Sequence, residues 1–133
     1  MEKLLEINGL KSWYGLSQAL FDVNLEISQG EVVALVGRNG MGKSTTIRSI
    51  CGLISSYEGV IKFKNISIIN QPSYKIAQLG IGLVPEGRRA FTNLTVLENL
   101  IATAVKGEWT LEMVFNLFPK LAERKYQSAS TLS

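Results

Sequence analysis

The chain has 133 residues, of which 46% are hydrophobic and 19% charged, values near those of ordinary folded domains, which excludes global disorder. Its 14 Lys and Arg against 11 Asp and Glu leave a net charge of +3. The basic residues are scattered apart from "GRR" at 87–89, so no polybasic tract points to nucleic acid.

Cys51 stands alone, which rules out an internal disulfide, and the absence of histidine removes the commonest zinc ligand and general base. A reduced, cytosolic setting fits this usage. The start, "MEKLLEINGL", carries acidic residues and no long apolar stretch, so it does not read as a secretory signal. Apolar runs such as 32–36 fall far short of the roughly 20 residues that span a bilayer. Membrane association is expected to run through a partner.

Residues 3–7 and 19–27 alternate apolar and polar, with Leu20, Val23, Leu25 and Ile27 marking one buried face. They predict an antiparallel sheet at the front of the chain. "SQGE" at 28–31 is a turn, and "VVALV" at 32–36 lacks alternation, as a central strand covered on both faces would. From Ser44 the spacing turns helical, placing Ile47, Ile50, Cys51 and Ile54 on one face. "GVIKFKNISI" at 59–68 returns to strand-like alternation. "QPSYKIAQLG" at 71–80 predicts a short helix with Pro72 in its first turn and Gly80 at its end. "IGLVP" at 81–85 is a further short buried strand. Beyond Pro85 the pattern is helical: Thr95 and Glu98 form a capping box, and Leu111, Val114, Phe115 and Phe118 share a face.

The stretch "GRNGMGKSTT" at 37–46 carries the chemistry. Gly37, Gly40, Gly42, Lys43 and Ser44 satisfy G-x-x-x-x-G-K-[ST] at every defined position, between an expected strand and an expected helix. Glycines permit positive φ and close backbone approach, so successive N–H groups can converge on phosphate oxygens. The helix starting near Lys43 adds free N–H groups and the positive end of its dipole. Lys43 supplies charge at the β- and γ-phosphates and the Ser44 hydroxyl is placed to ligate Mg²⁺. The loop from Gly37 through Arg38, Asn39, Gly40, Met41, Gly42, Lys43 and Ser44 to Thr45 is thus the candidate nucleotide cradle. It alone leaves GTPases, nucleotide kinases, helicases and transporter ATPases open; a GTPase would need a guanine-reading Asn-Lys-x-Asp, and the sequence has none.

Three further stretches, "WYG" at 13–15, "LVPEGRRAFTNLTVLENL" at 83–100 and "LAERKYQSASTLS" at 121–133, resemble in order and spacing the ATP-binding subunits of ABC transporters. The resemblance is strongest to the LivF-type subunits of branched-chain amino-acid importers and covers essentially the whole chain. It implies an α/β P-loop fold of ABC type: residues 1–85 form a nucleotide-binding core lobe with an antiparallel front sheet, and 86–133 a Q-loop region and helical subdomain. Tyr14 then corresponds to the aromatic that stacks on adenine, with Trp13 the competitor if the register slips. Glu86 stands where most of the wider family carries the Q-loop glutamine; it would ligate Mg²⁺ or orient water, or be a plain loop residue. Arg88, Arg89 and Phe91 border the groove that receives a permease helix, or are a solvated pair and a packed ring.

Leu132 and Ser133 match the first two residues of the Leu-Ser-Gly-Gly signature, which would meet the γ-phosphate held by an opposite subunit. On this resemblance the chain is expected to be an N-terminal fragment with an incomplete nucleotide-binding core. ATP and Mg²⁺ are the expected cofactors, with Lys43 and Glu86 in the chemistry. The expected partners are transmembrane permease subunits and a second ABC ATPase subunit, identical or different, on the inner face of the membrane. The implied activity is ATP hydrolysis coupled to uptake of branched-chain or related amino acids. A nucleotide-binding module without hydrolysis and a soluble ABC ATPase without a membrane partner are the alternatives.

Overall fold

The computed structural model describes all residues except 1, 39, 41, 56, 86, 88, 89, 103 and 133. The chain divides into two compact units, Met1–Leu83 and Val84–Ser133.

The first unit is built on a four-stranded antiparallel sheet. Strands β1 (Lys3–Tyr14) and β2 (Ser17–Ser28) form a long hairpin, pairing Ile7 with Leu25 and Tyr14 with Ser17. Helix α1 spans Lys43–Ile50. Strands β3 (Tyr57–Phe63) and β4 (Ile66–Ser67) follow, in the order β2-β1-β3-β4. The alternation read over 59–68 is broken by a two-residue hairpin turn at Lys64 and Asn65, whose φ values of 50° and 64° fit the type I′ geometry that matches strand twist. Helix α2 (Ser73–Gln78) is entered through Pro72 and followed by Gly80 in positive φ, as its punctuation predicts. Leu5, Ile7 and Leu10 of β1, Leu20 of β2, and Ile61 and Phe63 of β3 form a core closed by Ile50, Ile68 and Ile76.

Two expectations change here. The 31–38 segment is not a strand: Val32 is 97% and Val36 86% exposed. The 81–85 segment also lacks strand pairing, with Leu83 and Val84 exposed. An apolar sequence becomes a buried central strand only when neighbours accept its backbone N–H and C=O groups. Among the described residues, no strand lies beside either segment. Helix α1 also turns a different face inward. It buries Thr45, Thr46, Ser49 and Ile50, while Ile47 is exposed and Cys51 lies past the helix end. Thr46 and Ser49 can be buried because their hydroxyls donate to the carbonyls of Gly42 and Thr45, each at 2.8 Å.

The second unit contains α3 (Val96–Ile101), α4 (Leu111–Leu117), α5 (Pro119–Glu123) and a 3₁₀ turn at Ala129–Thr131. The capping box forms as read: Glu98 N–H donates to Thr95 Oγ1 at 3.1 Å and Thr95 N–H to Glu98 Oε1 at 2.9 Å. The tail is tied back by backbone bonds from Val96 N–H to Gln127 O and from Ala129 N–H to Leu94 O. The helical face expected across 111–118 is interrupted at Phe118, whose non-helical ψ of 77° precedes Pro119. Proline excludes the helical conformation of the residue before it, so one pattern becomes two short helices. Leu111 and Phe118 remain exposed, with Val114 and Phe115 partly covered. Among the described residues, no helix is long and apolar enough to cross a membrane.

Candidate functional site

The glycine loop ends where the sequence places it, at the start of α1. Gly40 and Gly42 have φ values of 84° and 88°, the left-handed region in which a side chain is strained. Gly42 is the residue before the helix, without a side-chain cap, and no acidic residue stands in the first turn. The leading N–H groups of α1 are therefore neither capped by a side chain nor faced by a first-turn carboxylate, an arrangement suited to an anion.

Gly42 also packs against the sheet. A Cβ built there would fall 2.6 Å from Leu20 Cδ2 and 3.5 Å from the Ala19 carbonyl oxygen. Thr46 anchors the same residue from the helix side, through both its N–H and its hydroxyl, onto the Gly42 carbonyl. Lys43 begins α1 and its ammonium donates to the Gly37 carbonyl, so the side chain folds back over the loop. Ser44 follows, exposed, and Thr45 is buried. Arg38 is exposed. Asn39 and Met41 lie outside the described residues.

Tyr14 closes the other end of this region. It is the last residue of β1, 49% exposed, and its hydroxyl lies 3.3 Å from Thr45 Oγ1, with either oxygen able to donate. Trp13, the competing aromatic, is partly buried. The sequence brought Tyr14 and the loop to attention separately; the hydrogen bond joining them had no signal in the sequence. Glu86, Arg88, Arg89 and Ser133 lie outside the described residues. Phe91 is exposed and its backbone is bracketed by Asn99, which accepts from Phe91 N–H at 2.7 Å and donates to Phe91 O at 3.0 Å. Sequence reading missed Asn99, which follows the capping Glu98 within an otherwise apolar helix.

Among the described residues, no group of three or more Asp, Glu, Cys or His side chains could hold a metal by itself. Mg²⁺ in a nucleotide site takes one or two protein oxygens and completes its shell with phosphate and water. The Ser44 hydroxyl, on the first turn of α1, is the protein oxygen that fits.

The profile of the ABC transporter family matches residues 20–133. The chain belongs to this family. Among ABC proteins it is 40% identical to the high-affinity branched-chain amino acid transport ATP-binding protein BraG of Pseudomonas aeruginosa, over 98% of this chain and 58% of that protein. It is 34% identical to a probable branched-chain amino acid transport ATP-binding protein, LivF, of Archaeoglobus fulgidus, over 93% of this chain and 55% of that one. The chain thus spans a little over half the length of these ABC relatives. A crystal structure of a nucleotide-free ATP-binding cassette from an ABC transporter superposes with a TM-score of 0.78 at 27% identity, covering 98% of this chain and 59% of the other. The α/β architecture is that of a partial ABC ATPase fold.

Proposed function

We propose that this chain supplies the ATP-holding part of an ABC importer subunit that couples ATP binding and hydrolysis to uptake of branched-chain or related amino acids. The observation that carries the reading is the joined constellation of Lys43 and the two positive-φ glycines at the start of α1, with Tyr14 one hydrogen bond from Thr45. The two relatives named for branched-chain amino acid transport support the cargo class.

On this reading the α1 N–H groups and the loop backbone bind the phosphates, and Lys43 leaves the Gly37 carbonyl to neutralise the β- and γ-oxygens. Tyr14 orients the base by offering a π face, which selects for a flat ring and little else. Ser44 holds Mg²⁺, which when bound neutralises charge on the transferred phosphoryl group. Glu86 is assigned to the metal or water, and Ser133 to the nucleotide of a second ABC ATPase subunit. Arg88, Arg89 and Phe91 are assigned to the contact with transmembrane permease subunits, which would hold the protein at the inner membrane face.

Calorimetric titration with Mg-ATP tests the central claim. Lys43→Ala should weaken ATP by about ten- to a hundredfold, the range expected for losing a charged hydrogen-bond donor. Unchanged affinity in that variant removes the loop from the nucleotide site. Loss of leucine uptake by membranes reconstituted with Lys43→Ala subunits, with assembly intact, tests the transport coupling.

A further inference from the structure

We propose that Asn99 is a positioning residue that holds Phe91 as a preorganised anchor for the transmembrane partner. The inference rests on the reading of Phe91 given above and adds the side chain through which that contact is shaped.

Asn99 lies within α3, where asparagine is a poor choice because its amide competes with the backbone for hydrogen bonds. Here the amide is fully directed. Its Oδ1 accepts from Phe91 N–H at 2.7 Å, and its Nδ2 donates to Phe91 O at 3.0 Å and to Thr95 O at 2.9 Å. One side chain thus takes both backbone groups of a residue eight positions earlier. Leu94 N–H adds a second bond to Phe91 O at 3.1 Å. The next carbonyl, that of Thr92, accepts from Ser128 Oγ at 3.0 Å and from Ser130 N–H at 3.2 Å.

Exposed turns commonly leave such groups to water and stay mobile. This one is pinned by α3 on one side and by residues 128–130 on the other, while the Phe91 ring stays exposed. The bonds fix the backbone, and none of them buries the ring. A fixed backbone beneath an exposed aromatic is the arrangement in which association costs least ordering entropy. The ring fits an apolar side chain of a transmembrane subunit, and the two arginines that precede it in sequence, Arg88 and Arg89, call for acidic groups at that partner's rim.

Asn99→Ala, Phe91→Ala and the double variant test this in the full-length subunit, titrated against the importer's transmembrane subunits in lipid nanodiscs. Phe91→Ala should weaken association about fivefold or more, as loss of an interface anchor does. Asn99→Ala leaves the ring in place and should weaken association about two- to tenfold, the cost of ordering a turn that is no longer held. In the Phe91→Ala background, Asn99→Ala should change affinity by less than about twofold, because no anchor remains to be positioned. Amide hydrogen exchange of the subunit alone should speed up at Phe91 in Asn99→Ala, with Val96 and Leu97, bonded to Gln127 O and Lys125 O, protected as in wild type. Unchanged association in Asn99→Ala beside a weakened Phe91→Ala overturns the positioning role and leaves the reading of Phe91 standing. Equal losses from Asn99→Ala in both backgrounds, or lost protection at Val96 and Leu97, make Asn99 a general support of the fold and overturn the role as well. Phe91→Ala without effect takes the ring out of the partner contact, so that the underlying reading fails and the proposal with it.

Discussion

Replacing Gly42 by alanine tests whether the phosphate loop is shaped by packing against the sheet as well as by its own backbone. At a φ of 88° the alanine pays a left-handed penalty of about 1–2 kcal/mol. Its Cβ would also lie 2.6 Å from Leu20 Cδ2. Leu20 is 3% exposed within the core and has little room to turn away, so a further overpacking cost of about 1–3 kcal/mol is expected. Together these give about 2–5 kcal/mol, a large share of the stability of a small domain. Gly40 is the control: its φ is 84°, but a Cβ there meets nothing within 4 Å, so Gly40→Ala should lose the backbone penalty alone. Urea denaturation of both variants measures the difference, expected at about 1–3 kcal/mol. Adding Leu20→Ala to Gly42→Ala should recover a similar amount relative to the sum of the single changes. Equal stabilities for Gly40→Ala and Gly42→Ala, or strict additivity with Leu20→Ala, would refute the argument that the sheet sets the position of the loop.

Ile7 is fully buried opposite Ile61 on the core face of the sheet; Ile7→Ala should cost about 2–5 kcal/mol in the same urea assay, and a loss under about 1 kcal/mol would mean that this face is not the core. The Glu98 carboxyl is held below its ordinary value of 4.5 by the Thr95 backbone N–H and then by its side chain. A carboxylate with a lowered folded pKa stabilises above its unfolded pKa, and that contribution is lost as pH falls through the folded value. Melting temperature should therefore fall on acidification below about pH 4.5, and Glu98→Gln should flatten that limb; parallel pH profiles would remove the capping role. Burial raises the Cys51 thiol above its ordinary value, so its alkylation at neutral pH should be slower than that of free cysteine, and equal rates would contradict its partial burial.

The parts of the fold legible in the sequence are those whose partners lie close along the chain. Alternation over 3–7 and 19–27 marks a hairpin because each strand is the other's neighbour across a two-residue connection; the observed strands run longer, from Lys3 to Ser28, because pairing extends through residues with little pattern of their own. The capping box at Thr95 and Glu98 was legible for the same reason, since both groups lie within one turn. The 32–36 run failed as a strand because burial of a central strand depends on neighbours that its own composition does not provide. The α1 face was misread because aliphatic spacing gave weight to Ile47 and Cys51 and none to Thr45, Thr46 and Ser49, whose hydroxyls are satisfied within the helix or by Tyr14, although Ile50 and Ile54 are buried as expected. The break at Phe118 was legible in Pro119, but the apolar period through it was given more weight than the proline.

These contrasts bear on why the phosphate loop takes a binding geometry beside an extended segment that has no strand pairing. The loop is held from its helical side. Thr46 fixes the Gly42 carbonyl through two bonds, Leu20 fills the space beside Gly42, and Lys43 bonds the Gly37 carbonyl across the loop. None of these contacts requires 32–36 to be paired in a sheet. The aim of the α1 N–H groups is a property of the helix start and its seat on β2, whereas the segment before the loop governs where the cradle stands relative to more distant groups. On the proposed function, phosphate holding and phosphate chemistry therefore rest on different parts of the fold. The first needs α1, β2 and the glycines; the second needs a positioned water and a base, which a cradle of backbone donors and one lysine does not supply. Changes at Leu20 or Thr46 should accordingly be felt as affinity, and changes that order 32–36 as turnover.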